Sequence, residues 1–139
     1  MVDDMPTTLG DAEAQPPASA PDAPQLQYAS VFEFYDGIVE PFLRDRLIGP
    51  RHQRWSAQWW KSAEAMLRLN AVWRAYEALR LDAATGLSVW LKDHFDPHMR
   101  ALTSEDGPFG DSRDASKRGE DPPYDRPEEI LSAYSQVFG

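Results

Sequence analysis

Two histidines and two aspartates lie within six residues of one another around Pro97. His94 and His98 are four residues apart, a spacing at which two imidazoles on one helical face can bind the same metal ion. Pro97 disturbs that face, His52 is the only other histidine, and the chain has no cysteine. The alternative is that Asp96 caps a helix beginning at Pro97 and that His98 hydrogen-bonds locally. The sequence therefore leaves two interpretations open, a small metal-binding domain at His94 and His98 or a capped helix.

A second segment, residues 51–61, combines basic and aromatic side chains in the sequence RHQRWSAQWWK. Such a segment could contact phosphates and stack on bases, as proteins that bind single strands do. Alternatively, the tryptophans belong to the core and the basic groups form a solvated rim that packs on them. Because three tryptophans within six residues cannot all face inward on a small domain, we expect at least one at the surface or beneath a flanking segment. The nucleic-acid interpretation rests on Arg51, Arg54, Trp55, Trp59, Trp60 and Lys61.

Motifs of known catalytic chemistry are not recognisable in the chain. It has no serine at a strand-to-helix elbow with a histidine partner, no phosphate-binding glycine loop and no paired carboxylates in an apolar setting. The sequence therefore predicts a protein that is not an enzyme and that carries no cofactor.

Charge divides the chain into three parts. The total is −9, with −8 over residues 1–43, +4 over residues 44–100 and −5 over residues 101–139. All five tryptophans fall within the basic central part. A basic, Trp-rich centre between acidic flanks is typical of a small interaction module, although the overall acidity argues against tight non-specific binding of nucleic acid.

Composition predicts four regions. Residues 1–26 are a disordered arm rich in Pro, Ala and Asp, residues 27–102 a helical Trp-rich domain, residues 103–126 a flexible acidic linker, and residues 127–139 a short amphipathic helix. The chain shows neither a signal peptide nor an apolar run long enough to span a membrane. We therefore expect a cytoplasmic protein that does not bind membranes.

The helices are predicted from apolar periodicity. Ser30 and Glu33 have capping-box spacing ahead of a helix that Pro41 should kink or restart. The strongest helix is predicted over residues 63–81 with Ser62 as N-cap, and a shorter one over residues 87–95 with Leu87, Trp90 and Leu91 facing inward. The predicted fold is a small all-α domain of three to four helices with a disordered acidic N-terminal arm and a C-terminal linker. The expected core includes Phe34, Ile38, Phe42, Met66, Leu69, Trp73, Tyr76, Trp90 and Leu91.

The end of the chain forms a separate amphipathic stretch. A helix of about 11 residues is marginal alone in water, so it must dock either on its own domain or on another protein. The apolar side chains predicted to bind a partner are Ile130, Leu131, Tyr134, Val137 and Phe138.

Several spaced signals between residues 55 and 109 occur together in one known family. They are Trp55, the Trp59-Trp60 pair, the run Trp73-Arg74-Ala75-Tyr76-Glu77-Ala78-Leu79-Arg80, Asp96-Pro97-His98-Met99 and Gly107-Pro108-Phe109. On these residues the chain resembles a domain of unknown function that is common on actinobacterial plasmids, integrative elements and phages. The resemblance implies a mobile-element setting, often near conjugation genes, and no particular mechanism.

The arms and the separate C-terminal stretch favour a non-enzymatic interaction protein. Combined with the resemblance, this predicts an adaptor of an actinobacterial mobile element, acting in plasmid transfer or maintenance or in phage takeover of the host. Two alternatives remain open at this point. One is a nucleic-acid-binding accessory protein that uses residues 51–61, and the other is the metal-binding domain at His94 and His98.

Overall fold

In the computed structural model, which describes residues 25–128, the first helix begins where the capping box predicts. The Ser30 hydroxyl accepts a hydrogen bond from the Glu33 backbone N–H at 3.3 Å, and the Glu33 carboxylate accepts one from the Ala29 N–H at 3.1 Å. The Ser30 hydroxyl thereby satisfies one of the N–H groups that a helix start leaves without partners, and the Glu33 carboxylate binds the residue before the cap.

The first helical unit, residues 31–44, is continuous but changes its hydrogen-bond pattern twice. It consists of α1 (Val31–Phe34), a π-helical turn (Tyr35–Val39) and α2 (Glu40–Arg44). Pro41 has no N–H to donate, and its ring would clash with a carbonyl one regular turn earlier. The π turn adds one residue immediately before this proline, so the predicted restart of the helix takes the form of a π bulge.

The last helical unit, residues 86–103, repeats this arrangement before Pro97. Its segments are α4 (Gly86–Trp90), a π-helical turn (Leu91–Phe95) and α5 (Asp96–Thr103). Asp96 has helical backbone angles, φ −60° and ψ −47°. It therefore lies inside a continuous helix and is not the predicted N-cap, because the π turn accommodates the proline without a break.

The long helix α3 (Ala63–Leu79) lies between these two units in the sequence, after a 3₁₀ turn (Trp59–Lys61). Ser62 caps it as predicted, accepting from the Ala65 N–H at 3.1 Å. The Trp90 indole N–H donates to the Val72 carbonyl at 2.9 Å, which fixes the last helical unit against α3. The first helical unit packs on the same part of α3, where the rings of Phe34 and Tyr76 lie 5.8 Å apart and Phe34 also meets Trp90 edge-on. Three helical units around one aromatic core confirm the predicted all-α fold, and the described residues contain isolated β-bridges but no strand.

Residues 104–128 lie across the aromatic core as an irregular segment. Phe109 packs edge-on against Trp55 at 5.0 Å, and Tyr124 lies 4.8 Å from Tyr35 and 5.6 Å from Trp59. This arrangement differs from the flexible linker expected over residues 103–126. The glycine, proline and charge content of the segment indicated disorder. Two aromatic side chains, Phe109 and Tyr124, nevertheless anchor it, because each buries a large apolar surface.

Gly107 allows this segment to leave α5 in a tight turn. A Cβ added at Gly107 would lie 2.4 Å from the Ala101 carbonyl oxygen, well inside van der Waals contact. Only glycine permits so close an approach of two backbone segments. The Gly-Pro-Phe run therefore combines a close turn with Phe109, the side chain that anchors the irregular segment to the core.

Most of the expected core is confirmed. Four of the side chains are buried, namely Phe34, Leu69, Tyr76 and Trp90, and four pack partly buried against them, namely Ile38, Phe42, Met66 and Trp73. The inward positions predicted for Leu87 and Leu91 are wrong, since these side chains are 55% and 39% exposed. The π turn rotates the helix after Trp90, and Phe95 takes the inward place instead.

The predicted terminal regions are described only in part. Residues 1–24 and 129–139 lie outside the described residues, and with them most of the arm predicted over residues 1–26 and of the helix predicted over residues 127–139. None of the helices in residues 25–128 has the length and apolar character that a membrane span requires.

Candidate interaction surfaces

The basic aromatic segment, residues 51–61, contributes mainly to the core. Trp55 and Trp59 are both 0% exposed. The Tyr35 ring stacks against both, with centroids 6.4 Å and 4.8 Å away. Neither indole can reach a base without opening the core, which corrects the nucleic-acid interpretation for these two side chains.

Arg54 is also held within the fold. Its backbone N–H donates to the Thr103 carbonyl at 2.8 Å, and its guanidinium donates to the Gly110 carbonyl. The Glu105 carboxylate lies 3.8 Å from the same guanidinium. Arg54 therefore fastens the segment after α5 to the core, and its charge is not available to a phosphate.

The remaining members of the proposed set lie at the surface. Arg51 and Lys61 are exposed, and Trp60 is half-buried. The Trp60 indole N–H donates to the Asp125 carbonyl at 2.8 Å, and the Lys61 ammonium lies 5.5 Å from the centroid of its ring. Trp60 is thus the tryptophan that lies beneath a flanking segment, as expected for at least one of the three.

The predicted metal pair does not form a cluster. Among residues 25–128, no group of three or more His, Cys, Asp or Glu side chains converges to hold a metal ion. The guanidinium of Arg68 lies 3.0 Å from His98 Nδ1, which it can approach only as a donor to a neutral ring. A cation at His98 Nδ1 would have to displace this guanidinium. The Arg68 contact occupies one of the two ring nitrogens of His98, and the pair of ligands at His94 and His98 stays a prediction.

His98 is predicted to make the fold sensitive to mild acid. Burial lowers the pKa of His98 below its ordinary value of 6.5, and the charges of Arg68 and His94 lower it further. The unfolded chain therefore takes up this proton at higher pH than the folded chain. The contribution of neutral His98 to the stability of the fold is fully present above pH 6.5. It is lost as the pH falls through the lower pKa that His98 has in the folded chain.

The measurement is the free energy of unfolding by urea between about pH 7.5 and pH 5. His98→Gln keeps an acceptor for Arg68 but cannot titrate, so we expect its stability to decrease less over this range than that of the wild type. His52→Gln, at an exposed position, is the matched control and should behave as the wild type. Equal pH dependence in the wild type and His98→Gln would contradict the assignment.

The residues predicted to bind a protein partner, Ile130, Leu131, Tyr134, Val137 and Phe138, lie outside the described residues. The described chain ends at Glu128. Just before this end, Arg126 forms an ion pair of 2.8 Å with Asp36 of the first helical unit. Pro127 is buried. The described chain therefore ends close to the first helical unit.

An apolar groove that the sequence did not reveal lies beside the end of α3. Its volume is about 270 Å³. Trp73 and Ala78 line it, and Leu26 and Leu81 border it with exposed fractions of 57% and 54%. We call this the α3 groove. Sequence reasoning placed Leu26 in a disordered arm and Trp73 in the core, and nothing in the spacing of these residues indicates that they meet.

Glu77 holds one wall of the α3 groove. Its two carboxylate oxygens accept from the backbone N–H groups of Gln27 at 2.8 Å and Tyr28 at 2.9 Å, and the Arg80 guanidinium pairs with it at 2.9 Å. The Trp73 indole N–H donates to the Tyr28 carbonyl at 3.2 Å. The backbone ahead of α1 is thereby fixed along α3, where Leu26 lines the groove together with Leu81.

Comparisons with known proteins give one match. A family model described as a domain of unknown function (DUF4913) matches residues 28–129. The matched range begins at Tyr28, the residue that Glu77 and Trp73 hold against α3, and it includes the irregular segment after α5. The search of curated proteins and the search of solved structures found no match.

Proposed function

The chain belongs to the DUF4913 family of domains of unknown function, and we propose that this member is a non-enzymatic adaptor that binds a protein partner. The α3 groove is the single observation that supports this role most strongly. Two exposed leucines border a concave apolar surface that a tryptophan also lines. Concave apolar surfaces of this kind commonly receive an apolar side chain of a partner protein.

The groove also indicates the chemistry of the partner. The guanidinium of Arg74 lies 5.7 Å from the Trp73 ring centroid and, within residues 25–128, forms no ion pair with a carboxylate. A partner segment that combines an apolar anchor with a nearby acidic side chain would complement both features. Arg80 contributes less, because Glu77 already neutralises it.

The C-terminal stretch provides a second binding surface in this proposal. Ile130, Leu131, Tyr134, Val137 and Phe138 present apolar side chains with helical spacing directly after two glutamates. In the adaptor role these residues engage a partner in trans, and the α3 groove offers a separate surface for the same partner or another. Docking of the stretch on its own domain is the competing arrangement, and crosslinking from the α3 groove separates the two.

The biological setting of the proposal comes from the resemblance of residues 55–109 to domains found on actinobacterial plasmids, integrative elements and phages. An adaptor without catalytic chemistry could serve plasmid transfer or maintenance, or takeover of a host by a phage. The nucleic-acid alternative through residues 51–61 has less support, because Trp55, Trp59 and Arg54 serve the core.

The adaptor role predicts that charge in the α3 groove abolishes partner binding without unfolding the domain. We expect Leu26→Glu combined with Leu81→Glu to lose the proteins that co-purify with the tagged wild-type chain from its native host. Both side chains are more than half exposed, so the helical circular dichroism and the urea midpoint should change little.

Leu67→Glu is the matched control, since Leu67 is 73% exposed and does not line the groove. It should retain every partner. Co-purification of the same partners at undiminished levels with the double variant would contradict the proposed role of the groove.

A further inference from the structure

A second, polar cleft lies between the end of the first helical unit and α5. It has a volume of about 270 Å³ and is lined by Phe42, Arg46, Gln53, Asp96, Met99 and Arg100. We call it the arginine cleft. Two arginines and one aspartate leave it with net positive charge, in a chain whose total charge is −9.

The guanidinium of Arg46 is fixed in this cleft in a position that suits an anion. Its guanidinium carbon lies 4.1 Å above the centroid of the Phe42 ring, which in turn packs edge-on against Phe95 at 4.8 Å. The Arg46 Nε is buried, and no described residue accepts its hydrogen. Stacking fixes the plane of the guanidinium, so its other donors lose little entropy on binding a planar or tetrahedral oxyanion.

Backbone pairing brings a second basic loop beside this region. Ile48 and Ser116 exchange two hydrogen bonds, of 3.0 Å and 3.1 Å, and the Gly119 N–H donates to the Arg44 carbonyl at 2.7 Å. Residues 44–54 contain four arginines and one aspartate, which gives +3, and residues 113–118 contain three cations and one aspartate, which gives +2. The fold therefore concentrates positive charge that is divided between distant parts of the sequence.

Neighbouring carboxylates neutralise only part of this charge. Asp121 and Glu40 pair with Arg44, and Glu105 lies near Arg54. Asp114 accepts from the Ala57 N–H at 2.8 Å and so is directed toward the backbone. Six cations of these two loops and of the arginine cleft form no ion pair within residues 25–128. They are Arg46, Arg51, Arg100, Arg113, Lys117 and Arg118.

We propose that the arginine cleft and the two basic loops, residues 44–54 and residues 113–118, bind the sugar-phosphate backbone of a nucleic acid. Cations distributed over two loops match a series of phosphates better than one small anion. An acidic protein is the less suitable occupant, because protein interfaces need apolar anchors. None of the exposed large hydrophobic side chains among the described residues lies in either loop. This binding goes beyond the adaptor role and uses a different surface from the α3 groove.

The test is fluorescence anisotropy with labelled single-stranded DNA, single-stranded RNA and duplex DNA of about 20 nucleotides, at about 50 mM NaCl and above. The full chain should bind at least one probe with affinity that falls steeply with salt. Arg100→Ala, Lys117→Ala and Arg118→Ala combined should weaken that binding about tenfold or more and make the salt slope less negative by about two. These three side chains are exposed, so the fold should be retained.

The matched control combines Lys61→Ala, Arg74→Ala and Lys92→Ala, which removes the same charge from exposed positions outside the cleft and the two loops. It should change the affinity by less than about threefold, the effect expected of long-range charge alone. Absence of binding by the wild type to every probe at low salt would overturn the proposal. So would equal losses in the two triple variants, or a loss confined to the control.

Discussion

Replacement of Trp59 by alanine is expected to lower the free energy of unfolding by about 3–5 kcal/mol, a large share of the roughly 5–15 kcal/mol by which small domains are stable. Trp59 is 0% exposed and lies where three parts of the fold meet. Its ring is 5.6 Å from Phe32 in α1, 4.8 Å from Tyr35 in the π turn and 5.6 Å from Tyr124 in the irregular segment. Removing it would leave a cavity among these three rings.

Urea unfolding monitored by circular dichroism measures this effect. Trp73→Ala is the informative comparison, because Trp73 is only partly buried and borders the α3 groove. Its loss should cost less than that of Trp59. Trp59→Phe should retain much of the stability, since the Trp59 indole N–H has no hydrogen-bond partner among the described residues. A cost for Trp73→Ala equal to or above that of Trp59→Ala would contradict the central place of Trp59 in the core.

Glu77→Gln is expected to destabilise the fold by about 2 kcal/mol although it changes few atoms. The backbone N–H groups of Gln27 and Tyr28 donate to different oxygens of the carboxylate, and an amide replaces one of those oxygens by an NH₂ group that cannot accept. Burial alone would raise the pKa of Glu77, but these two N–H groups and Arg80 outweigh it and hold the pKa below 4.5. The contribution of Glu77 is therefore present above pH 4.5 and is lost as the pH falls through the lowered value.

Glu64→Gln provides the control for Glu77→Gln. Glu64 forms an exposed ion pair with Arg68 at 2.9 Å within one helix, and its loss should cost no more than about 0.5 kcal/mol. Both variants are compared by urea unfolding at neutral pH. Glu77→Gln should also weaken partner binding, because the backbone that Glu77 holds at Gln27 and Tyr28 leads directly to Gln25 and Leu26, which line the α3 groove. Wild-type stability in Glu77→Gln would show that residues 25–28 are not fixed through this carboxylate.

Helix positions were predictable because they depend on local signals. Ser30 and Ser62 cap helices at the expected residues, and the Glu64–Arg68 pair forms as its spacing indicates. The π turns were not predictable from periodicity, since one added residue changes the face on which the following side chains lie. The π turn at residues 91–95 thus brings Phe95, five residues after Trp90, onto the same buried face.

The surfaces were harder to predict because they depend on residues far apart in the sequence. The charge of residues 51–61 suggested a binding segment, yet Trp55 and Trp59 belong to the buried aromatic core. The arginine cleft and the α3 groove each join segments whose approach depends on a few long-range hydrogen bonds. Ser116 meeting Ile48 and Glu77 meeting Tyr28 leave no signal in a single sequence.

Crosslinking from the α3 groove tests the adaptor role most directly. A photoreactive phenylalanine derivative replaces Leu81 in one chain and Leu67 in another, and both chains are irradiated in the native host. We predict a discrete adduct from position 81, identified by mass spectrometry as one partner protein, and no such adduct from position 67. An adduct from position 81 to residues 130–138 of the same chain, or the same diffuse products from both positions, would contradict the adaptor role.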